Sequence, residues 1–256
     1  MANTMRTVAI VQARMSSSRL PGKVLLPLAG RPVLAHVVGR ISACAKVDQV
    51  VVATSTDPSD EPITRWCRAE NVSCHQGSLT DVLDRFLSAA RHEGADAVVR
   101  ITADCPAIDP TVVDAVIAGF WEGEYDYFGL GGGFPDGLDC EILSMDCLTR
   151  VAAQATRPSD REHVTPFVKR NPGQFKSGEL RLFEGLVHHR WTLDQEEDLA
   201  FLTAVFDRLQ RDDRLFSASE ILELLDAEPD LLSINAGIER NVGYRASVAA
   251  EEEHRV

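Results

Sequence analysis

The first 47 residues of the chain contain no aspartate or glutamate. Because the whole chain has a net charge of −13 and this stretch carries +7, everything after Val47 carries −20. The basic residues of the stretch are Arg6, Arg14, Arg19, Lys23, Arg31, Arg40 and Lys46. A positive segment on an acidic protein indicates a local anion-binding site rather than a general affinity for polyanions.

The chain also lacks an apolar run that approaches the roughly 20 residues of a membrane span. Its short N-terminal apolar run is followed by polar Gln12 and Arg14, which favours a strand over a secretory signal. A sequence pI near 5.0 argues against nonspecific nucleic-acid binding, which requires a broad basic face. We therefore predict a cytoplasmic protein with neither a membrane nor a nucleic-acid partner.

Two kinds of motif are missing. The six cysteines form no CxxC pair and no Cys/His cluster with zinc spacing, which is typical of scattered, reduced cysteines in the cytoplasm. Neither GxxxxGK[ST] nor GxGxxG occurs, so a nucleotide would have to be held by another kind of phosphate loop.

Short apolar runs alternate with helical patterns along most of the 256 residues. Strand-like runs lie at Thr7 to Val11, Gln49 to Thr54, Asn71 to His75 and Asp96 to Ile101. Amphipathic segments separate them, one of them beginning near an N-cap at Thr80. This order predicts a single α/β domain with a mostly parallel sheet covered by helices on both faces. We expect a nucleotide-binding half at 6–122, an acceptor-binding and closing half at 123–240, and a C-terminal tail at 241–256 whose acidic end, AAEEEHRV, is frayed.

The stretch ARMSSSRLPGK, from Ala13 to Lys23, directly follows the first strand. Ligands of open α/β sheets bind beyond the carboxyl ends of the strands. Arg14 and Arg19 could hold phosphate oxygens bidentately, Lys23 could act as a point charge, and Gly22 allows the backbone to approach closely. A solvated basic loop is the alternative, and this motif alone does not decide between the two.

Two carboxylates favour the phosphate interpretation. Asp104 follows the fourth strand in RITADCP, and Asp194 follows an apparent strand, Val187 to Leu193, in WTLDQEEDL. Oxygen ligands of this kind suit Mg²⁺, which completes its shell with phosphate and water. The alternatives are a turn residue before Pro106 for Asp104 and a helix N-cap for Asp194. A basic loop and two strand-end carboxylates on one rim make nucleotide and metal binding the better interpretation.

Several motifs together resemble a known family. ARMSSSRLPGKVLLPLAGRPVLAHVVGRI is similar to the opening of the cytidylyltransferases that make CMP-activated sugar acids, such as octulosonate and acylneuraminate cytidylyltransferases. VLDRF, RITADCPAIDP, FPDGLDCEI, REHVTPF, WTLDQEEDL and NVGY follow in the order seen in the branch of spore coat polysaccharide biosynthesis protein F. The resemblance spans nearly the whole chain, and the ordered set is highly specific.

The resemblance implies a nucleotide-diphospho-sugar transferase fold (GT-A-like, Rossmann-like) and CTP as the nucleotide. It implies that Arg14, Ser16, Arg19 and Lys23 hold the triphosphate and that Asp104 and Asp194 bind Mg²⁺. Two departures, Arg100 and Cys105, stand where octulosonate enzymes have a smaller polar and an acidic residue, which argues against an octulosonate acceptor. The full nucleotide-binding set is Ala13, Arg14, Ser16, Arg19, Gly22, Lys23, Asp84, Arg85 and Arg100, of which Lys23, Arg14 and Arg19 are also predicted to be catalytic.

The remaining motifs leave alternatives open. Asp84 and Arg85 in VLDRF could contact the nucleotide or form an ion pair on a helix surface. The candidate acceptor-binding residues are Asp136, Asp139, Glu141, Arg161 and His163. The first three could belong to a flap or to a solvated turn. His163 could bind the acceptor's anionic group with Arg161, or it could be a helix-cap or core histidine.

We interpret the sequence as an enzyme that transfers CMP from CTP to a small anionic, sugar-like acceptor with Mg²⁺ as cofactor, in surface glycan biosynthesis. A homodimer is compatible with this interpretation. Two alternatives remain: a glycosyltransferase of the same fold that uses a finished nucleotide sugar, and a nucleotide-binding protein without turnover. An Asp-x-Asp pair would favour the first and loss of Lys23 or Asp104 the second, and the chain shows neither feature.

Overall fold

The apolar runs form the strands, and the computed structural model describes residues 5–211 and 214–253. The strands are β1 (Thr7–Gln12), β2 (Pro27–Leu28), β3 (Arg31–Pro32), β4 (Gln49–Ser55), β5 (Ser73–Gly77), β6 (Ala97–Thr102), β7 (Tyr127–Leu130), β8 (Glu141–Ser144) and β9 (Ser177–Leu180). Seven form one sheet in the order β5-β4-β1-β6-β8-β7-β9, and β2 pairs with β3 in a separate ribbon. Strand β8 runs antiparallel to both neighbours, and the remaining pairs of the large sheet are parallel.

Helices cover both faces of this sheet. They are α1 (Val33–Ser42), α2 (Glu61–Ala69), α3 (Val82–His92), α4 (Pro110–Glu122), α5 (Met145–Gln154), α6 (Pro158–His163), α7 (Pro166–Arg170), α8 (Glu196–Leu209), α9 (Ala218–Ala227) and α10 (Val242–Glu253). Side chains alternate across a strand, so Val8 and Ile10 pack with α3 and α5, while Ala9 and Val11 pack with α1, α2 and α4. The predicted α/β class, with a mostly parallel sheet between two helical layers, is confirmed.

The sheet brings two loops to one edge. Strands β1 and β6 are parallel neighbours, and Gln12 at the end of β1 is in register with Thr102 at the end of β6. The basic loop after β1 and Asp104 after β6 therefore leave the sheet side by side. A candidate ligand site at the carboxyl edge follows from this topology.

A third core beside this edge is built from α8, α9 and the segment that precedes them. Trp191 and Leu193 are fully buried in it, together with Phe201 and Phe206 of α8. This segment was predicted to be a strand from Val187 to Leu193, which is wrong. It forms a single bridge, Asp136 to Arg190, because its N–H groups bond to loops: Trp191 N to Asp136 O at 2.6 Å and Leu193 N to Asp104 O at 2.8 Å.

Two further predictions are corrected at the ends of helices. Helix α3 begins at Val82 with Asp81, not Thr80, as its cap: the Asp81 carboxylate accepts the Asp84 N–H at 3.0 Å. The acidic end of the tail, 249–256, was predicted to fray, yet α10 is helical to Glu253 and packs on α6. Residues 254–256 lie outside the described part of the chain. Among the helices of residues 5–211 and 214–253, none has the length and apolar character to cross a membrane.

Candidate active site

The basic loop after β1 is a compact turn. The N–H groups of Ser17 and Gly22 both donate to Met15 O, each at 2.9 Å. Gly22 has φ 72°, a left-handed conformation that other residues adopt only with strain, and Lys23 then begins a short 3₁₀ helix. The turn leaves Arg14, Ser16 and Arg19 exposed at the edge of the sheet, while Lys23 is 9% exposed.

A buried carboxylate, which the sequence analysis missed, fixes this loop from below. Asp60 is fully buried, and its Oδ1 accepts the Met15 N–H at 2.7 Å. Its Oδ2 accepts the Ser55 N–H at 3.2 Å and the Ser55 hydroxyl at 2.5 Å. Asp60 thus connects the loop to the end of β4. The sequence carries no signal for this role, because it depends on the backbone N–H of Met15, 45 residues away in the chain.

Lys23 lies between the two predicted metal ligands. Its Nζ is 2.5 Å from Asp104 Oδ2 and 2.6 Å from Asp194 Oδ1, and Arg19 Nη2 is 2.6 Å from Asp194 Oδ2. Burial alone would lower the pKa of Lys23 and raise that of Asp104. Their mutual attraction, with Asp194 also acting on Lys23, leaves the pKa of Lys23 raised and that of Asp104 lowered. Lys23 and Asp104 are therefore both charged at neutral pH.

The positions of Asp104 and Asp194 suit a divalent cation. Carboxylate oxygens from two elements converge on one cationic atom, so this point already accommodates positive charge. Within residues 5–211 and 214–253, no three His, Cys, Asp or Glu side chains are grouped closely enough to form a metal site alone. Two carboxylates are nevertheless the usual protein share of a Mg²⁺ shell, since phosphate and water supply the rest.

Asp194 is held by its own network rather than used as a helix cap. Helix α8 has Gln195 at its N-cap, and the buried Asp198 accepts the N–H groups of Asp194 and Gln195 at 2.9 and 3.0 Å. Arg190 forms a bidentate pair with the same carboxylate at 2.8 and 2.9 Å, and Asn235 donates to it at 3.0 Å. This network leaves the Asp194 side chain free to meet Lys23 and Arg19.

Asp136 and Asp139 lie next to this network, with Asp136 bonded to Arg190. Gly137 between them has φ 106°, and a Cβ there would come within 2.6–2.9 Å of the Trp191 and Thr192 backbone, so glycine permits the close approach. Asp136 is 2.9 Å from Arg190 Nη1, and Asp139 is 3.0 Å from Arg240 Nη2. Burial and the neighbouring Asp139 raise the pKa of Asp136 to about 7, although Arg240 and Arg190 act in the opposite direction. These residues are not a solvated turn.

Two adjoining cavities result. The first, called here the basic cleft, has a volume of about 430 Å³, and its lining includes Arg14, Arg19, Lys23, Arg100, Asp104, Asp136, Asp139, Arg190 and Asp194. The second, called the side cavity, measures about 330 Å³. Five residues line both: Arg100, Asp139, His163, Asn241 and Tyr244. A ligand group in the side cavity would thus lie next to one in the basic cleft.

Some of the predicted site residues lie elsewhere. Asp84 is exposed on α3, whereas the buried Arg85 donates to Ser78 O at 2.5 Å. Arg161 donates to Asp81 Oδ2 at 2.8 and 2.6 Å and to two carbonyl oxygens, which places it in the packing of α6 against α3. Ala13 is buried, and its N–H donates to Ala53 O. Their predicted ligand contacts stay predictions.

Comparison with known proteins now decides the family. The family model for cytidylyltransferases matches residues 8–211, which is most of the chain. The chain belongs to the cytidylyltransferase family. This cytidylyltransferase is thus an enzyme that transfers nucleotidyl groups, and the alternatives of a glycosyltransferase and of a protein without turnover lose their support.

Individual relatives of the chain are consistent with membership of this family. The spore coat polysaccharide biosynthesis protein SpsF of Bacillus subtilis is 31% identical over 229 residues, 86% of this chain and 94% of that protein. A cytidylyltransferase structure from Leptospira borgpetersenii is similar with a TM-score of 0.86 and 29% identity, over 92% of this chain and all of that one. A 3-deoxy-manno-octulosonate cytidylyltransferase of Geobacter sulfurreducens is 36% identical over 115 residues, 44% of this chain and 45% of that protein.

The role of Asp60 can be tested by Asp60→Asn. An amide matches the shape of the carboxylate but turns an N–H group towards a backbone donor, so we expect a loss of about 1–3 kcal/mol in the free energy of unfolding. Because the Met15 contact shapes the basic loop, CTP affinity should also fall, which calorimetric titration would measure. The matched control is Ser55→Ala, which removes a bond on the other oxygen and should lower stability alone. Unchanged CTP affinity in folded Asp60→Asn would show that Asp60 does not position the loop.

Proposed function

We propose that this cytidylyltransferase transfers CMP from CTP to a sugar acid or related hydroxylated anion and releases pyrophosphate, in cytoplasmic synthesis of a surface polysaccharide. Two observations on relatives support the acceptor class: one is named for spore coat polysaccharide biosynthesis and another for 3-deoxy-manno-octulosonate. The observation that carries the proposal is the geometry of Lys23, held at 2.5 and 2.6 Å by Asp104 and Asp194 beside Arg14 and Arg19.

In this reaction an acceptor oxygen attacks the α-phosphorus, the bond from phosphorus to the bridging oxygen breaks, and pyrophosphate leaves with that electron pair. The acceptor hydroxyl proton passes to a base or to solvent. Such chemistry depends on positioning and on neutralising phosphate charge. Arg14, Arg19 and Lys23 supply three positive charges on one rim of the cleft.

Mg²⁺ fits the pair Asp104 and Asp194, and when bound it would neutralise charge on the phosphate oxygens. Lys23 Nζ now bonds to both carboxylates. With a cation between the carboxylates, the ammonium would be released to bind a phosphate oxygen. The lysine would thus hold the two carboxylates together and, when they bind Mg²⁺, act on the nucleotide.

The remaining site assignments follow from position. The predicted nucleotide-binding half at 6–122 supplies the basic loop and Asp104, and the half at 123–240 supplies Asp136, Asp139 and Asp194. The segment 241–256 was predicted to be only a tail, but Asn241 and Tyr244 line both cavities. We propose that the two halves bind nucleotide and acceptor, and a homodimer remains compatible with this division.

The proposal is tested by pyrophosphate release with CTP, Mg²⁺ and a panel of sugar acids. We expect release that requires both CTP and an acceptor, together with a CMP-sugar product identified by mass. Transfer of sugar from a finished nucleotide sugar, without pyrophosphate, would overturn the proposed chemistry.

Nucleotide choice gives a separate prediction. A ligand that binds only the native state raises its stability, by about 2.7 kcal/mol at one hundred times the dissociation constant. For a chain of this size we expect CTP to raise the melting temperature by about 5 °C or more, and ATP, GTP and UTP at equal concentration to raise it less. Equal shifts for all four nucleotides would contradict base selectivity.

A further inference from the structure

The side cavity contains a cluster of charged groups that the transfer of CMP does not by itself explain. One of its lining residues is Glu141 of β8, which is paired with Arg100 of β6 in the antiparallel register. The volume, about 330 Å³, is at the small end of the range for small-molecule sites. The cavity shares Arg100 with the basic cleft, so a ligand there would lie beside the reacting phosphate.

Glu141 was predicted to bind substrate, but its oxygens are already fully used. It accepts from Tyr127 OH at 2.6 Å, Thr165 Oγ1 at 3.0 and 3.1 Å, Arg100 Nη1 at 3.1 Å and Lys169 Nζ at 2.7 Å. Burial would raise the pKa of Glu141, but Lys169 and Arg100 lower it to about 2. Glu141 is therefore a permanent anion that holds two cations next to each other.

The charges around the side cavity do not cancel. Arg170, which also lines it, is paired with the buried Asp160, and Asp139 is paired with Arg240 at 3.0 Å. Among the described residues that line this cavity, Glu141 is then the carboxylate shared by two cations, Arg100 and Lys169. Among the described residues that line the cavity, one positive charge is thus left over.

Both cations keep donors available. An ammonium has three N–H groups and a guanidinium has five, and Glu141 uses one atom of each. Arg100 Nε is buried and has no hydrogen-bond partner among the described residues. A buried donor left without a partner is unfavourable. A bound anion would balance the surplus charge and accept from the donors of Arg100 and Lys169 that Glu141 does not use.

We infer that the side cavity is the acceptor site and that Arg100 and Lys169, held by Glu141, bind the acceptor's carboxylate. The ligand is a monoanion, because one positive charge is in excess. This inference rests on the proposed function, and it moves the acceptor's anionic group away from Arg161, which is engaged by Asp81. Arg100, which lines both cavities, would then orient the acceptor hydroxyl towards the basic cleft.

The test measures affinity by calorimetry in the presence of Mg²⁺ and saturating α,β-methylene CTP, which cannot be cleaved. The probes are 3-deoxy-manno-octulosonate and N-acetylneuraminate, each compared with its methyl ester and with glucose 6-phosphate. At least one acid should bind, its ester should bind at least roughly 10-fold more weakly because a charge-assisted contact is lost, and the phosphate should not replace it. Lys169→Gln should weaken the acid by a similar factor, whereas Lys46→Gln, an exposed lysine outside both cavities, should not.

Failure of the proposed function and failure of the inferred acceptor site give different results. Absence of any binding by the CTP analogue would count against the proposed function itself. If the analogue binds but neither acid does, or the ester binds as well as the acid, or Lys169→Gln keeps the wild-type affinity for the acid, the inference is wrong. Lys169 is half exposed, at 58% of its side chain, so the variant should fold, and unchanged affinity for the CTP analogue would verify this.

Discussion

Replacing Lys23 by alanine is expected to lower kcat by roughly 10²-fold or more, the scale of losing one preorganised charge contact. Negative charge grows on the bridging and leaving pyrophosphate oxygens during cytidylyl transfer. A cation that meets this charge is worth more in the transition state than in the ground state, so the loss should appear in kcat as well as in KM. Steady-state pyrophosphate release would measure both constants.

Lys23→Arg should rescue little. Lys23 is 9% exposed and its ammonium fits between two carboxylates at 2.5 and 2.6 Å. A planar guanidinium is larger and cannot replace a point charge there. Lys46→Ala, which removes an exposed lysine, serves as the matched control for loss of charge. If Lys23→Ala raises KM for CTP and leaves kcat unchanged, Lys23 binds the nucleotide without favouring the transition state.

Much of this site could be predicted from sequence because parallel strands end at a common edge. The basic loop directly follows a predicted strand, and Asp104 directly follows another. In a parallel sheet both strands end at the same edge, so the predicted topology was enough to place the loop and Asp104 close together. The short-range apolar pattern was enough to give β1, β4 and β6. In residues 6–122, the strands predicted from local sequence are therefore the strands that the sheet topology uses.

The rest depended on contacts between distant segments. Val187 to Leu193 has the apolar alternation of a strand, but Trp191 and Leu193 are buried against α8 and α9, away from the sheet. Arg161 was predicted to bind the acceptor's anionic group from its place in REHVTPF, and Glu141 was predicted to belong to a flap over the substrate; both assignments stay predictions. In the structure Arg161 pairs with Asp81, which is 80 residues away. Glu141 is engaged by four side chains that lie on strands β6 and β7, on helix α7 and at its N-cap. Sequence spacing cannot show that a charge is already satisfied.

Replacing either predicted metal ligand by its amide should also have a large effect. A metal ion that stabilises phosphate charge contributes several kcal/mol, so Asp104→Asn or Asp194→Asn should lower turnover by roughly 10²-fold or more. The fold should persist, because the two side chains are about a quarter exposed at the rim, at 24% and 22%. Asp146→Asn, a surface carboxylate with 73% of its side chain exposed, is the matched control.

The two variants should differ in a way that follows from their partners. Asp104 bonds to Lys23, whereas Asp194 also holds Arg19 at 2.6 Å and lies 3.8 Å from Arg190. Loss of the Asp194 charge should therefore loosen Arg19 and raise KM for CTP, while loss of the Asp104 charge should act mainly on kcat and on the Mg²⁺ concentration for half-maximal rate. Titration of Mg²⁺ at fixed CTP separates these effects. Near-native turnover of either variant at limiting Mg²⁺ would show that its carboxylate is not a ligand.

Lys23 competes with a bound cation for the carboxylates of Asp104 and Asp194, so a Lys23 variant also tests whether these two residues bind Mg²⁺. Without nucleotide, Lys23→Ala leaves Asp104 and Asp194 facing each other with no ammonium between them, and like charges in contact are unfavourable. Mg²⁺ alone should then raise the melting temperature of Lys23→Ala more than that of the wild type, and adding Asp104→Asn should abolish the gain. An equal response of wild type and Lys23→Ala would mean that the cation binds elsewhere and that the carboxylates serve only to hold the lysine.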